Sequence, residues 1–491
     1  MVTGSPRKPS ALLGVLLLLA ATYGYFLQGG GWNQAVRMDL CWSLVEHGST
    51  AIGWYAENTG DIAIFGDRVY STKAPGASFL AVPIHAALKL VFDSAGRSVE
   101  SPGARALSGH LCTWLLAGWT TAGLAVLMGG LARRWFAASE GQAVWLALAF
   151  GLGTMAFPFG TVLLGHNLAA LFGLSALALA LPAEGARPRP AWAGLAAGMA
   201  LLSDYPAAIF GAVTLGVIAW RQRSPAAIAR FALGALPPVL LLALYHQVCF
   251  GSPLSTGYDH QTEMFQHPDE AVLLGLFSLP RPDRLWGVTF GLKRGLFTLY
   301  PVALLGLIAP FSALRRPGTR LPVLVSLAVF LYFLCLNASY PVWDGGYASG
   351  PRHLMAGLPF LLLPAATLLQ GRSRAPVLAL TALSIGLATA ITLVNPLGPY
   401  QVDSLIGDYL LPALAAGHVS QNFFRWWPGW QPETSAEAAR VARNLGELAG
   451  LHGLASIGPL LALWAAGGWG LGRWLRSRTA QVESASAVST R

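Results

Sequence analysis

The sequence has 491 residues, of which 54% are hydrophobic and only 11% are charged. A soluble globular chain usually carries about a quarter charged residues, so this composition excludes a protein whose main solvent is water. The formal charge of +10 does not indicate nucleic acid, because the arginines stand in short clusters between apolar runs. That arrangement is typical of the cytoplasmic loops of membrane proteins.

Apolar runs of membrane-spanning length recur along the whole chain. A helix needs about 20 apolar residues to cross a hydrocarbon core, and apolar segments are centred roughly on residues 20, 84, 118, 151, 174, 197, 213, 240, 304, 330, 362, 386 and 463. The alternating pattern of a membrane barrel is absent from the sequence. We therefore predict an all-α polytopic membrane protein with about 12–13 transmembrane helices, in which the first apolar run stays as an uncleaved span.

The arginine clusters predict the orientation of these spans. If every cluster is cytoplasmic, the N-terminus is cytoplasmic too, and the external side receives residues 29–75, 157–167, 203–206, 251–293, 339–352 and 396–450. These stretches carry nearly every cluster of polar residues. We therefore expect the active site on the external face of a bacterial-type inner membrane. The segment 77–92 does not fit the count of crossings unless it is short, re-entrant or paired with a further segment.

The composition divides the chain into four parts. Residues 1–395 form the predicted transmembrane core, with a first external loop at 29–75 that contains amphipathic helices. Residues 396–451 form an external aromatic-rich loop, in which 423–430 is predicted as an aromatic belt anchor. Residues 452–477 form the last transmembrane helix, and the Ser- and Ala-rich residues 478–491 a disordered cytoplasmic tail. The cysteines, in unpaired spacing, predict neither a disulfide nor a metal site.

The first external loop carries the most informative polar residues. Asp39 follows the first span and places a carboxylate at the membrane surface; alternatively, it caps the helix that follows. Tyr70 begins the segment Tyr-Ser-Thr-Lys-Ala-Pro-Gly, in which Lys73 directly precedes an apolar run. A lysine there is well placed to hold a lipid phosphate, and the alternative is a lysine that snorkels to the interface.

The order of these elements resembles the GT-C superfamily of membrane glycosyltransferases, in particular the branch with the lipid A aminoarabinose transferases and the protein O-mannosyltransferases. An Asp after the first span, the Tyr-Ser-x-Lys-Ala-Pro-Gly element and a late Gly-Pro-Arg-His before a Pro-containing span carry the resemblance, over residues 11–370. It implies a GT-C-like fold, a catalytic Asp39, and donor-phosphate binding by Lys73 and Arg352. Tyr70, Asp344 and His353 are candidate substrate-binding residues.

The sequence departs from this superfamily at one position, because relatives place a second Asp where this chain has His166 and Asn167. An ionisable side chain within the membrane indicates function, so both residues are candidates for substrate binding. His166 and Asp61 are also candidate ligands of a divalent cation, although no cofactor is certain. The alternative for His166 is an interhelical hydrogen bond, and the same two interpretations apply to Asp204.

Two further external segments add candidates. Tyr258 lies in a Gly-, Ser- and Thr-rich loop and offers a stacking face for a sugar; the alternative is a plain turn-rich loop. Lys293 and Arg294 are cations at the external end of a span, contrary to the distribution of the other arginines. Misplaced cations indicate an anionic partner, such as a polyprenyl phosphate headgroup.

The function predicted from these features is sugar transfer from a polyprenyl-phosphate carrier to an external glycan, lipid or protein, with inversion at the anomeric carbon. Asp39 would act as general base, and Lys73 and Arg352 would stabilise the leaving phosphate. Lys293 and Arg294 are reserve candidates. The sequence has no nucleotide-phosphate loop, zinc helix or nucleophile elbow. The alternatives are a transporter or flippase of a lipid-linked or small polar substrate, and a non-catalytic lipid-binding relative.

Overall fold

A computed structural model describes residues 10–182, 185–265, 278–427 and 441–489. In these ranges the chain is predominantly helical. The α-helices in chain order are α1 (Ala11–Gly24), α2 (Trp32–Glu46), α3 (Gly76–Ser94), α4 (Pro102–Thr113), α5 (Trp119–Phe136), α6 (Glu140–Gly153), α7 (Ala156–Gly160), α8 (Gly165–Ala180), α9 (Pro190–Ser203), α10 (Ala208–Gln222), α11 (Pro225–Phe250), α12 (Pro282–Thr289), α13 (Leu296–Leu299), α14 (Leu305–Ala313), α15 (Arg320–Ser339), α16 (Leu358–Leu362), α17 (Arg374–Val394), α18 (Leu411–Ala415), α19 (Leu445–Leu448) and α20 (Gly458–Ser489). The short strands β1 (Phe26–Leu27) and β4 (Arg443–Asn444) pair antiparallel, as do β2 (Ile62–Phe65) and β3 (Arg68–Ser71).

The lengths of the apolar helices agree with a polytopic membrane protein. Among the described residues, six helices are long and apolar enough to cross a bilayer: Gly76–Ser94, Pro102–Phe136, Pro225–Phe250, Arg320–Ser339, Gly371–Val394 and Gly453–Arg478. Shorter apolar helices of 10–17 residues include α1, α8 and α9. The predicted all-α polytopic class is confirmed, and the number of spans stays a prediction.

The helix bundle has two chemically different ends. We call the end that carries residues 29–75 the loop end. The opposite end is the arginine end, where Arg134, Arg221 and Arg316 line one common cavity. Three arginine clusters that are far apart in sequence therefore meet at one end, as their predicted cytoplasmic location requires. Between the two ends lies an apolar core built from side chains of most of the helices.

Small residues allow α9 and α11 to pack closely. A Cβ added to Gly194 of α9 would lie 1.9 Å from the carbonyl oxygen of Phe231 in α11. Likewise, a Cβ on Gly234 of α11 would lie 1.9 Å from the carbonyl oxygen of Ala191. Only glycine permits this approach, and close backbone contact is a common way for helices to associate in lipid, where hydrophobic exclusion gives little driving force. The tight pair fixes the end of α9, from which Asp204 follows.

The first loop folds as α2, a 3₁₀ turn at Gly53–Asn58 and the β2–β3 hairpin. The hairpin differs from the prediction of helices alone, because four-residue strands are too short to show a clear alternating pattern. Gly66 in its turn has a φ of 62°, a left-handed conformation that favours glycine. Asp39 lies in the middle of α2, so the alternative that it caps this helix is wrong.

Helix α3 contains the segment that did not fit the count of crossings. It packs along α2, and His85 of α3 contacts Glu46 at the end of α2, with 2.7 Å between Nε2 and Oε1. Arg105 of α4 binds the same carboxylate, with 2.6 Å between Nη2 and Oε2. Although α3 is long enough to cross a bilayer, these contacts place it beside the first loop. The alternatives for the segment 77–92 stay predictions.

Glu46 is expected to give this corner a pH-dependent stability. Burial raises the pKa of Glu46, but hydrogen bonds from His85, Arg105 and Tyr55 outweigh that effect and lower the pKa to about 2. The pKa of Glu in an unfolded chain is about 4.3. A depressed folded-state pKa adds stability that is complete above the unfolded value and is lost as the pH falls from there towards 2.

Glu46→Gln should lower the free energy of unfolding at neutral pH by about 3–5 kcal/mol, because it leaves the Arg105 guanidinium buried without a carboxylate. It should also flatten the loss of stability below about pH 4.3. Denaturant unfolding at a series of pH values measures both effects. The exposed Glu57→Gln serves as the control that removes one carboxylate from the same loop. Equal stability of the two variants at neutral pH would contradict the prediction.

Two predictions for the C-terminal part of the chain differ from the structure. Helix α20 extends to Ser489, so most of the segment predicted as a disordered tail is helical. The physical reason is that adding residues to an existing helix costs far less than starting one. In the aromatic-rich loop, Phe424 and Trp426 are buried in the protein, and Trp426 Nε1 donates to the carbonyl oxygen of Gln28 at 2.9 Å. They are not belt residues, and residues 428–430 lie outside the described ranges.

Candidate functional site

Two adjoining cavities lie at the loop end. The large cavity has a volume of about 660 Å³ and the small cavity about 50 Å³. Asn33 and Arg352 line both, so the cavities meet at these side chains. The small cavity is lined further by Arg37, Lys73, Ala74, His166, Asp204, Pro206, Tyr258, Leu336, Tyr340 and His353. The large cavity is lined further by Gly31, Trp32, Gln34, Asp61, Met264, Phe265, Val342, Gly345, Gly346, Tyr347, Leu397, Tyr400, Gln401, Phe423 and Phe424.

Three cationic side chains converge on the small cavity. Arg37 comes from α2, Lys73 from the turn after β3, and Arg352 from the 3₁₀ turn that it begins. Arg37 is buried, with its Nε donating to Asn33 Oδ1 and its Nη1 to the carbonyl oxygen of Ala74, both at 3.3 Å. The buried Nε of Arg352 has no hydrogen-bond partner among the described residues. Its guanidinium is therefore the cation most available to an anionic ligand.

An ion pair between Asp61 and Lys73 bridges the two cavities. Lys73 Nζ donates to Asp61 Oδ1 at 2.9 Å; Asp61 lines the large cavity and Lys73 the small one. Burial lowers the pKa of Lys73, and the Asp61 carboxylate opposes that shift. The ammonium also lies 5.6 Å from the centre of the Tyr258 ring, within range of cation–π attraction. The sequence predicts Asp61 as a candidate metal ligand and as a reserve for Asp39, but it does not predict the pairing of Asp61 with Lys73.

His166 and Asp204 form a pair in the wall of the small cavity. His166 Nδ1 lies 2.6 Å from Asp204 Oδ2, so the hydrogen bond between helix ends that was the alternative for His166 is present. His166 Nε2 is buried and has no partner among the described residues. The His353 ring lies 5.5 Å from it, edge to face. Burial holds the pKa of His353 well below its usual range, and the nearby Arg352 adds to this effect, so His353 is neutral.

The two candidate ligands of a divalent cation, Asp61 and His166, are not part of one metal-binding cluster within the described residues. In residues 10–182, 185–265, 278–427 and 441–489, no three His, Cys, Asp or Glu side chains are placed to hold a metal ion. Asp61 is paired with Lys73 and His166 with Asp204. The two candidate ligands therefore belong to separate pairs rather than to one ligand set.

Asp39, Asn167 and Tyr70 are predicted site residues that line neither cavity. Asp39 is fully buried, and its Oδ1 accepts a hydrogen bond from Asn58 Nδ2 at 2.9 Å. Burial raises the pKa of the Asp39 carboxyl well above its usual value, although that hydrogen bond opposes the shift. Asn167 Nδ2 donates to Thr121 Oγ1 at 2.6 Å, and Tyr70 belongs to a separate apolar cluster. The position of Asp39 argues against its predicted role, because a substrate in either cavity does not reach it.

The cations predicted as reserve phosphate ligands are engaged elsewhere. Lys293 Nζ pairs with Asp344 Oδ2 at 2.6 Å. Arg294 is buried and donates to the carbonyl oxygens of Gly346 at 3.0 Å and Pro399 at 2.7 Å. None of Lys293, Arg294 and Asp344 lines a cavity of the site. Asp344 therefore neutralises Lys293, and backbone carbonyls accept hydrogen bonds from Arg294; the role of these residues in ligand binding stays a prediction.

Sequence reasoning missed Asn33 and Arg37. A signal for Arg37 was present, because it is a cation in a predicted external loop, the same departure that drew attention to Lys293. Asn33 has no such signal. Its place in the site follows from its spacing of four residues from Arg37, which puts both side chains on one face of α2.

No family model and no curated protein matches this chain, but solved structures do. ArnT from Cupriavidus metallidurans bound to undecaprenyl phosphate is 14% identical, with a TM-score of 0.46, over 78% of this chain and 64% of that chain. The Archaeoglobus fulgidus oligosaccharyltransferase in the apo form is 13% identical, with a TM-score of 0.44, over 87% of this chain and 61% of that chain. The same organism's AglB in complex with an inhibitory peptide and a dolichol-phosphate is 12% identical, with a TM-score of 0.44 and the same coverage. This chain spans less than two thirds of the length of each.

Proposed function

We propose that this chain transfers a sugar from a polyprenyl-phosphate carrier to an acceptor bound at the loop end, with inversion at the anomeric carbon. The observation that best supports the proposal is the convergence of Arg37, Lys73 and Arg352 on one small cavity, which shares the lining residues Asn33 and Arg352 with a larger one. Buried cations are costly unless an anion neutralises them. Within the described residues Arg352 has no carboxylate partner, and a lipid phosphate would supply that charge.

In this proposal the small cavity holds the donor phosphate. The planar guanidinium of Arg352 presents two parallel N–H groups to phosphate oxygens, whereas Lys73 acts as a point charge. Arg37 is fixed by Asn33 and the Ala74 carbonyl before any ligand arrives. Negative charge develops on the phosphate as the sugar leaves, and cations that are already in position stabilise it without reorganisation.

We move the proposed general base from Asp39 to Asp61. Asp61 lines the large cavity, where an acceptor would bind, and its ion pair with Lys73 keeps it next to the donor phosphate. The Asp61 carboxylate would take the proton of an acceptor hydroxyl as the oxygen attacks the anomeric carbon. The carbon–phosphate oxygen bond breaks on the side of the small cavity. Attack from one side and departure from the other give inversion.

We further propose that the loop end faces outward from a bacterial-type inner membrane. The arginine end gathers Arg134, Arg221 and Arg316, and such clusters stay on the cytoplasmic side during insertion. The loop end instead carries mixed charges that are paired within the protein, such as Lys293 with Asp344.

Cysteine labelling tests this orientation. Asp67→Cys in the exposed hairpin turn should react with a membrane-impermeant reagent in intact cells, whereas Ala186→Cys at the exposed arginine end should react only after lysis. Cys335 is exposed in the native chain, so both variants are made together with Cys335→Ser. The reverse labelling pattern would overturn the orientation and, with it, the choice of an external lipid-linked donor.

Purified protein in lipid bilayers tests the activity. Polyprenyl phosphate should raise the midpoint of thermal unfolding, and a polyprenyl-phosphate sugar should lose its sugar only when protein and acceptor are both present. Binding without turnover would instead indicate a non-catalytic lipid-binding protein. Movement of the intact lipid-linked sugar across the bilayer, without transfer, would indicate a flippase. The absence of both polyprenyl phosphate binding and sugar transfer would overturn the proposal.

A further inference from the structure

The wall of the large cavity is rich in aromatic rings. Trp32, Tyr347, Tyr400, Phe423 and Phe424 come from three separate loops of the loop end. Several touch each other: the ring centres of Tyr347 lie 5.0 Å from those of Tyr400 and Phe424, and Phe423 and Phe424 are 4.5 Å apart. Aromatic rings that hold each other edge to face form a firm apolar surface.

The same wall carries uncharged hydrogen-bonding groups. Gln34 is only 2% exposed, and its Nε2 has no hydrogen-bond partner among the described residues. An unsatisfied buried amide costs about 1–3 kcal/mol, so a ligand that accepts its hydrogen bond recovers that free energy. Gln401 is exposed, and its Nε2 donates to the Tyr347 hydroxyl at 3.3 Å. The amides of Gln34 and Gln401 thus line the same cavity as the aromatic rings. Such a wall suits a ligand that has both an apolar face and hydrogen-bonding groups.

Charge is nearly absent from this cavity. Of its described lining residues, only Asp61 and Arg352 carry side chains that are ordinarily charged at neutral pH, and both already have roles in the proposed reaction. A phosphorylated or acidic acceptor would therefore find no cation of its own. The volume of about 660 Å³ lies within the usual range of ligand pockets, about 300–1,000 Å³.

We propose that the large cavity binds a neutral carbohydrate, so that the acceptor of the reaction is a glycan. This inference rests on the proposed function. A sugar ring has a C–H face that packs on an aromatic ring and hydroxyls that pair with amides. A polyprenyl chain fits less well, because it would leave the Gln34 amide buried without a partner. In the reaction an acceptor hydroxyl oxygen bonds to the anomeric carbon, its proton passes to Asp61, and the bond to phosphate breaks with its electron pair staying on the lipid phosphate.

Binding of defined sugars to the full chain in nanodiscs tests this site. The probes are maltotriose and cellotriose, their phosphorylated forms, a neutral peptide, and polyprenyl phosphate as the separate donor probe. At least one neutral trisaccharide should bind, and Tyr400→Ala should weaken that binding about 2- to 10-fold while Tyr400→Phe keeps it. Gln34→Leu should weaken binding by a similar factor, about 2- to 10-fold, without lowering the midpoint of thermal unfolding, because it removes an unsatisfied amide. Trp54→Ala, an exposed aromatic of the same loop that lines neither cavity, is the control.

The outcomes separate the two proposals. If polyprenyl phosphate binds but neither trisaccharide does at millimolar concentration, the glycan site is wrong and the proposed function stands. Tighter binding of the peptide or of a phosphorylated sugar than of every neutral sugar also overturns it, as does equal binding by Tyr400→Ala and the native chain. If the native protein did not bind polyprenyl phosphate, that result would instead count against the proposed function.

Discussion

Asp61→Asn is expected to lower the rate of sugar transfer by on the order of 10² or more, because general base catalysis contributes about 10²- to 10⁴-fold. Asn keeps the size of the side chain but does not accept a proton from the acceptor. Donor affinity should not fall, since the donor phosphate replaces the Asp61 carboxylate as the anionic partner of Lys73. Single-turnover transfer by purified protein in lipid measures the rate. Donor binding and thermal unfolding, measured in parallel, show whether affinity and stability are kept.

Asp39→Asn is the matched control for this experiment. It makes the same chemical change at the position that the sequence alone favours, but the Asp39 carboxyl is buried outside both cavities. Because burial raises its pKa well above the usual value, replacing it with a neutral amide should cost little. If the Asp61→Asn variant kept native turnover and the Asp39→Asn variant lost it, the general base would be Asp39, as predicted from the sequence.

Arg352→Gln is expected to weaken the binding of polyprenyl phosphate about 10- to 100-fold. Hydrogen bonds to charged groups contribute about 1.5–3 kcal/mol, and the bidentate geometry of Arg is lost in Gln. The fold should tolerate the change, because the Arg352 Nε has no hydrogen-bond partner among the described residues that the variant would leave unsatisfied. Thermal shift or equilibrium binding in nanodiscs measures the affinity.

Lys293→Gln controls for overall charge at the loop end. It removes one cation from the same end of the molecule, but Lys293 is paired with Asp344 and lines neither cavity. Donor affinity should therefore stay within about twofold of the native value. An equal loss in both variants would show that net charge, rather than a phosphate site, governs binding.

The sequence by itself determined the class of protein and the end of the molecule at which its polar residues gather. Both follow from local properties: hydropathy sums over about 20 neighbouring residues, and the arginine clusters act through short loops. The segment around Lys73 and the late loop with Arg352 could also be picked out, because cations next to span ends that are predicted to be external depart from that pattern. These two side chains do line one cavity in the structure.

The tertiary structure decided which polar residues meet. Two pairs join separate elements of the fold: Asp61 with Lys73, and His166 with Asp204. No local sequence pattern encodes how these elements are placed relative to each other. The choice between Asp39 and its neighbours on α2 depends on the rotation of one helix. At about 100° per residue, Asn33 and Arg37 share a face, whereas Asp39 lies about 200° further round from Arg37. The helix is buried on several sides, so hydropathy does not show which of its faces borders the cavity. Only its packing against α3 and β3 turns Arg37 towards the site and Asp39 away from it.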